Sequence, residues 1–275
     1  MNSVIRENNL QYFYKQNLVI FSKRIIQFLF IMKFRNILLF FILASVAETA
    51  IGQQPDTLET DPANITAMTM INRYIEAIGG IKKFSEIEDR TTLINGTAMG
   101  QNISILIKQK SPAKFYQEIT AGEVVQKMYF DGIRGMMVLG ENKTEIEGKE
   151  LERLKVESTM KLLLDPESYG LKLELLQNES VDSIDCYKIK LTLPSGLRTF
   201  QYYDFNTGLK IKELKEIQTP QGLFEQEIFY SDYRVVQGLK FPFRIRQLFG
   251  IQELDLEVIS LEINTGIDES VFQLP

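Results

Sequence analysis

Residues 103–132 read ISILIKQKSPAKFYQEITAGEVVQKMYFDG, and this stretch decides the fold. Apolar and polar side chains alternate in three short runs. Turn signals at Ser111-Pro112, Ala121-Gly122 and Asp131-Gly132 bound these runs. A period of two between closely spaced turns is typical of antiparallel strands with one buried and one solvated face. The stretch therefore predicts consecutive hairpins.

The same pattern extends in both directions from this stretch. Further turn signals recur from Asn95 to Gly250, at Asn95-Gly96, Gly140, Ser195-Gly196, Asn206-Thr207-Gly208, Gln221-Gly222, Gln237-Gly238 and Gly250. Together they predict a mainly β (α+β) domain of roughly ten to eleven strands, either a barrel or a strongly curved sheet. The alternation slips near Ile259, which predicts a β-bulge there.

Two helices are expected beside the strands. The first is predicted to start at Asp61-Pro62, an N-cap followed by a first-turn proline, and to end at Gly79-Gly80. A short helical turn over 81–87 leads into the sheet. The internal helix is predicted over 149–164, closed by Asp165-Pro166.

The amino terminus has the pattern of an export signal. A basic start at 32–36 precedes an apolar run at 37–47 and small residues at 50–52. The alternative is a membrane anchor over 25–47, but Lys33 and Arg35 would each cost roughly 2.5–3.5 kcal/mol mid-span. We expect residues 1–31 to be an upstream extension of the gene prediction, 32–52 the signal peptide, 53–61 a polar leader and 62–275 one domain.

Composition limits the chemistry. The chain contains no histidine, which excludes histidine-based triads and histidine general bases. Cys186 is the single cysteine, so we expect a buried structural thiol and no lipidated N-terminal cysteine. The acid pairs Glu225/Glu227 and Asp255/Glu257 alternate with apolar residues and indicate a solvated face better than a glycosidase pair. We predict no enzyme activity, no cofactor and no metal.

The charge balance bears on the partners. With 31 basic and 36 acidic residues the net charge is −5, which does not attract nucleic acid through overall charge. The acidic segment 141–147 is interspersed with lysine and lacks a calcium-loop signature. We expect a soluble periplasmic monomer without a stable membrane anchor.

Several turn motifs carry a family resemblance when they are read in order. They are IEAIGG at 75–80, PAKF at 112–115, FDG at 130–132, YYDFNTGL at 202–209, YSDY at 230–233, GLKFP at 238–242 and DESVFQLP at 268–275. Over 62–275 the chain resembles the LolA/LolB-like outer-membrane lipoprotein-sorting proteins, especially the divergent versions found in Bacteroidetes. Each motif is a turn signal, and their order is the more specific feature.

The resemblance implies a fold and a function. The fold is a curved antiparallel half-barrel of about eleven strands, with an N-terminal helix and one internal helix packed against its concave face. The function is that of a carrier whose apolar cavity receives acyl chains of lipoproteins or other amphiphiles. Burying one methylene gains roughly 0.8 kcal/mol, so acyl chains bind without a polar anchor.

Apolar positions on the predicted concave face are the candidate cavity-lining residues. They are Ile105, Phe115, Ile119, Met128, Phe130, Met137, Phe200, Tyr202, Ile228 and Phe243. The alternative for each is ordinary core packing. The competing hypothesis for the whole chain is a non-enzymatic interaction or sensor module with a filled core. Such a module would recognise envelope proteins through an exposed aromatic patch near 202–205 and 230–233.

Overall fold

The computed structural model describes residues 66–98, 100–219, 222–250 and 252–275. The expectations for residues 1–65, including the signal peptide and the polar leader, lie outside the described residues. Within the described ranges, no helix is both long enough and apolar enough to cross a membrane.

An antiparallel sheet of 14 strands forms the described part of the chain. The strands are β1 (Asp89–Ala98), β2 (Gln101–Lys110), β3 (Lys114–Ala121), β4 (Val124–Phe130), β5 (Gly135–Leu139), β6 (Asn142–Ile146), β7 (Lys172–Leu175), β8 (Glu179–Val181), β9 (Ile184–Thr192), β10 (Arg198–Asp204), β11 (Lys210–Thr219), β12 (Gly222–Val236), β13 (Leu239–Phe249) and β14 (Gln252–Ile263). Their spatial order is β6-β5-β4-β3-β2-β1-β14-β13-β12-β11-β10-β9-β7, and β8 pairs with β9. The sheet stays open between the edge strands β6 and β7, so the predicted half-barrel is confirmed.

The strand number is higher than predicted. Beyond eleven strands, the additional ones are β1, β6 and β8, and the last two are short and mostly exposed, with sequences NKTEI and ESV. Neither contains the alternation of apolar and polar residues on which the prediction depended. A strand that buries neither face leaves no hydrophobic period, and only its backbone pairing reveals it.

The first and last strands meet in the middle of the sheet. β1 pairs with β14, and the register shifts between Leu93 and Ile94, which face Ser260 and Val258. Ile259 is therefore the extra residue of a bulge, and it is 51% exposed. The predicted bulge near Ile259 is confirmed. Because β1 and β14 close this seam, the β2–β6 arm and the β7–β13 arm extend from opposite sides of it.

Two helices precede β1. Helix α1 (Ala67–Ile78) has Thr66 as its N-cap, whose side chain accepts a hydrogen bond from the Thr69 amide. The helix therefore begins later than the Asp61-Pro62 start that the sequence predicted. It ends at Gly79, as expected. Helix α2 (Ile81–Ser85) is the predicted short turn.

One excursion links the two edge strands, and we call residues 147–171 the strap. It contains helix α3 (Gly148–Ser158) and 3-10 turns at Leu162–Leu164 and Pro166–Tyr169. The predicted single helix over 149–164 is therefore split, because the chain leaves helical geometry at Thr159. No strap residue belongs to the described strands, so the sheet ladder does not depend on the strap.

Candidate ligand-binding site

Helix α1 lies on the face of the sheet that carries Tyr203. The Tyr74 and Tyr203 ring centroids are 5.3 Å apart, and both side chains are buried. The Arg73 guanidinium donates a hydrogen bond to the Phe205 carbonyl at 2.5 Å. Gly79 permits the close approach of β13, because a Cβ there would lie 2.5 Å from the Gly238 carbonyl oxygen. We call this helix-covered face the inner face.

Two candidate residues lie on the other face. Adjacent residues of a strand point to opposite sides, so Tyr202 faces away from Tyr203 and α1. Tyr202 packs with Val181 and Cys186, and Phe200 borders this cluster. The expectation that Phe200 and Tyr202 belong to the concave wall is therefore corrected. The predicted buried thiol is confirmed, since Cys186 is fully buried and burial raises its pKa to about 11.

The other eight candidates are buried, namely Ile105, Phe115, Ile119, Met128, Phe130, Met137, Ile228 and Phe243. None of them lines the cavities and the groove described below. Contact between these residues and a ligand stays a prediction. Their present role is packing, which is the alternative that the sequence left open for each.

A bulge in β11 turns charged residues inward. The pairing of β10 with β11 skips Ile211, because Tyr202 faces Lys212 while Tyr203 faces Lys210. Residues three apart on a regular strand lie on opposite faces, but the extra residue brings Lys210 and Glu213 to the same face. Their Nζ and Oε2 atoms are 2.8 Å apart.

The Lys210–Glu213 pair belongs to a buried ion network that reaches the strap. Lys215 lies 3.7 Å from Glu213 and 3.0 Å from Glu157 of α3. Arg153 completes the network, 2.7 Å from Glu157 and 2.6 Å from Glu150. Three cations therefore alternate with three carboxylates. Burying a charge costs several kcal/mol unless it is paired, and this alternation supplies the pairing.

The network favours the charged forms of Glu213 and Lys215. Burial by itself would raise the pKa of Glu213, but Lys210 and Lys215 hold it at about 2. Burial likewise opposes the charge on Lys215, yet Glu157 and Glu213 raise its pKa. For Lys210 burial prevails and lowers the pKa, although Glu213 counteracts it. At neutral pH Glu213 is therefore an anion, fixed between the Lys210 and Lys215 side chains.

Buried tyrosines surround this network. The Tyr230 hydroxyl donates to Glu213 at 3.1 Å, and the Tyr233 hydroxyl donates to the Lys210 carbonyl at 2.6 Å. Tyr202, Tyr203 and Tyr230 are buried, so the aromatic motifs near 202–205 and 230–233 do not form the exposed patch that the interaction hypothesis expected. Burial raises the pKa of Tyr74, Tyr203, Tyr230 and Tyr233.

Two small cavities lie on either side of Lys210. The first has a volume of about 50 Å³ and lies between β11 and the strap, where Arg153, Glu157 and Leu163 contribute to its wall. The second, also about 50 Å³, lies under α1, where Tyr74, Arg90 and Tyr233 contribute to its wall. One water occupies about 30 Å³ in the liquid, so each holds a small polar group and neither holds an acyl chain.

A larger groove lies on the opposite face. Its volume is about 720 Å³, and its walls include Phe229, Arg246 and Asp255, together with the β8–β9 turn at Asp182. These strand residues alternate with buried ones, and the Arg246 guanidinium stacks 4.3 Å from the Phe229 ring centroid. The groove is open and carries both charge signs, so its chemistry does not single out one ligand class.

The remaining acidic residues form no metal site within the described ranges. Glu225 and Asp255 are exposed, and Glu227 pairs with Lys212 at 2.5 Å. The acid pairs therefore lie on a solvated face, as the sequence indicated. Segment 141–147 contributes β6 and not a loop.

Sequence reasoning missed the buried network. The signal was present in KIKELKEI at 210–217, where charge appears at both odd and even positions. Such a run on a strand either lies at an edge or contains a bulge, because strict alternation cannot bury it. The partners Arg153 and Glu157 could not be identified from spacing, since they lie more than fifty residues away.

Comparisons with known proteins place the fold. No protein-family model matches the chain, and no curated protein matches its sequence. Among solved structures, a LolA superfamily protein from Nitrosomonas europaea matches with a TM-score of 0.52 at 16% identity, covering 77% of this chain and 99% of that chain. A domain described as an outer membrane lipoprotein-sorting protein from Vibrio parahaemolyticus gives 0.51 at 12% identity, covering 75% and 97%.

A third similar structure is a DUF1329 family protein from Desulfovibrio piger, with a TM-score of 0.50 at 13% identity and coverage of 78% and 98%. At these identities the likeness concerns the fold. The comparisons and the open curved sheet agree with the resemblance that the turn motifs carried. The chain is a divergent protein with the LolA/LolB-like fold.

Proposed function

We propose that the protein is a non-catalytic carrier of the bacterial envelope, which holds acyl chains of a lipoprotein or another amphiphile between the sheet and the strap. One observation carries this proposal. The strap packs on the β2–β5 arm through Leu154 against Gly135, yet it contributes no strand to the sheet. The strap can therefore move while the sheet remains intact.

The contacts of the strap indicate how it would open. Leu154 packs against Gly135 of β5, where a Cβ would lie only 2.8 Å from Leu154 Cδ2. At the other arm, Glu157 pairs with Lys215. The strap thus has an apolar contact to one arm and an ionic contact to the other. It is held further by the Lys161–Glu88 pair at 3.0 Å and by the Met160 amide, which donates to the Pro112 carbonyl at 3.2 Å. Since the cavities beneath it are small, acyl chains enter only when the strap is displaced.

The energetic balance permits this displacement. Breaking a buried ion pair costs about 3–5 kcal/mol. Burying an acyl chain of about twelve methylenes gains on the order of 10 kcal/mol. Chain burial therefore outweighs the loss of the Lys215–Glu157 pair, and a short-chain amphiphile would not open the strap.

Uptake of a fluorescent fatty acid tests the carrier. We expect the delipidated protein to bind it, and Glu157→Gln to bind it severalfold faster because the ionic attachment is weakened. Glu152→Gln is the matched control, since the Glu152 side chain is 42% exposed and pairs with Lys155 at 2.9 Å. Mass spectrometry of lipid extracted from the purified protein provides the second readout. No extracted lipid together with no uptake would reject the carrier.

A filled-core interaction module is the second candidate, and the size of the two cavities favours it. Such a module would retain one protein partner from envelope extracts at stoichiometric amounts and without lipid. Export to the periplasm is part of both proposals. The mass of the N-terminal peptide of the purified protein tests it, since cleavage near residue 52 is expected.

A further inference from the structure

Arg90 is buried without a counter-ion. Arg90 is the second residue of β1 and is 8% exposed, and no carboxylate among the described residues forms an ion pair with it. The guanidinium donates from Nε to Gln109 Oε1 at 3.1 Å and also from Nη2 to the same oxygen. It lies 5.9 Å from the Phe241 ring centroid. The neighbouring carboxylate of Asp89 is engaged by the backbone amides of Gly266 and Ile267.

Hydrogen-bond donors exceed acceptors around this arginine. A guanidinium has five N–H donors, and here a single amide oxygen accepts from it. Gln109 is fully buried, and its Nε2 has no hydrogen-bond partner within the described structure. Buried polar groups are normally satisfied, so an excess of donors at one place indicates that an acceptor belongs there.

The small cavity under α1 lies beside these donors. Arg90, Tyr74, Tyr233, Lys210 and Lys240 contribute to its wall, along with apolar side chains such as Phe241. Glu213, which pairs with the lining residue Lys210, is already neutralised by Lys210 and Lys215. Lys240 is exposed, so the cavity wall includes one cation that reaches the protein surface. The local charge is positive, although the protein as a whole is acidic.

Burial without a carboxylate partner disfavours the charge on Arg90. Burial lowers its pKa to about 10, and Tyr74 opposes this only partly. Arg153 makes the contrast, because its two carboxylate partners raise its pKa despite burial. The fold therefore tolerates one buried arginine without compensation, and it does so at a cavity wall.

We propose that this cavity binds a small oxyanion, a carboxylate or phosphate group, through Arg90. This inference rests on the proposed function, since the oxyanion would be the anionic end of the carried amphiphile. A free phosphate is the other source of the same chemistry. A volume of about 50 Å³ accommodates such a group and no more. The anion would restore the missing acceptor and give the carrier a preference for acidic amphiphiles.

Three ligands tested against three proteins separate the possibilities. The ligands are inorganic phosphate, palmitate and methyl palmitate, measured by calorimetry at constant ionic strength. The proteins are the unmodified chain, Arg90→Gln and Arg134→Gln. Arg134 is the matched control because its side chain is 62% exposed and lies 3.8 Å from Asp131. We expect Arg90→Gln to weaken phosphate and palmitate binding about tenfold, as the loss of one charge-assisted hydrogen bond predicts.

The outcomes distinguish this site from the carrier function. Equal phosphate affinity in the unmodified chain and Arg90→Gln would overturn the site. Palmitate and methyl palmitate bound equally well by every variant would retain the carrier and reject the oxyanion site. Phosphate binding that depends on Arg90, with neither palmitate compound bound, would retain the site and reject the carrier. If Arg90→Gln does not fold, Arg90→Lys keeps the charge and is expected to bind phosphate with intermediate affinity.

Discussion

The two arms of one sheet are built differently on their inner face. In the β2–β5 arm the buried positions carry isoleucine, phenylalanine and methionine, as in Ile105, Phe115 and Met128, together with three glutamines but no charged side chain. In the β10–β13 arm the buried positions include Lys210, Glu213 and other polar side chains. The strap attaches to the first arm by packing and to the second by an ion pair. One sheet therefore combines a wall held by packing of apolar side chains with a wall held by pairs of opposite charge.

Removing a large side chain from the apolar arm should have the largest effect. Phe115 is fully buried, so Phe115→Ala is expected to lose about 4 kcal/mol of unfolding free energy. Urea denaturation at neutral pH measures this loss. Val125→Ala, at an exposed position of β4, is the control and should change stability by less than about 0.5 kcal/mol. A loss below about 1 kcal/mol for Phe115→Ala would mean that this wall is not packed as described.

Removing a charge from the ionic arm should come next. Glu213→Gln leaves Lys210 and Lys215 without their shared carboxylate, and we expect a loss of about 3 kcal/mol. Glu225→Gln, on the solvated face of β12, is the matched control with little expected change. If Glu213→Gln were as stable as the unmodified protein, the ion pairs of Glu213 would not stabilise the β10–β13 arm.

Acidification should also affect the stability of the β10–β13 arm more than that of the β2–β5 arm. The folded pKa of Glu213 is about 2, below its usual value near 4.5. Its contribution to stability is therefore complete above pH 4.5 and is lost as the pH falls towards 2. This contribution is on the order of 3 kcal/mol. Between pH 7 and pH 2 the unfolding free energy should depend more steeply on pH in the unmodified protein than in Glu213→Gln. Phe115→Ala should keep the steep dependence, and parallel curves for all three proteins would contradict the assignment.

The apolar attachment of the strap gives the smallest predicted effect. A methyl group at Gly135 would meet Leu154 Cδ2 at 2.8 Å, so Gly135→Ala should lose about 1–2 kcal/mol through overpacking. Adding Leu154→Ala to Gly135→Ala should recover part of the thermal stability lost at Gly135. Strictly additive losses in that double variant would show that the two residues do not touch.

The arms also differ in how far the sequence predicted them. In 103–132 the alternation, the turns and the buried residues agree with the structure, since a regular strand with one buried face has a period of two. In 210–217 the bulge at Ile211 breaks that period, so the alternation does not show which residues of this strand point inward. The turn in Tyr202–Leu209 was recognised, but the face of Tyr202 was not. Nine of the ten predicted cavity residues proved to be buried, and Phe200 is partly buried. The residues that line the two inner cavities include charged groups that the sequence analysis did not single out.

The sequence alone was enough to predict the antiparallel sheet, the bulge at Ile259, the end of α1 and the buried thiol of Cys186. Each of these depends on local spacing or on the properties of a single residue. The tertiary structure alone decided which charges are buried, how the strap is held and that Arg90 has no carboxylate partner. The physical reason is that the cost of burying a charge depends on its neighbours in space, and here those neighbours come from strands and a helix far apart in the chain.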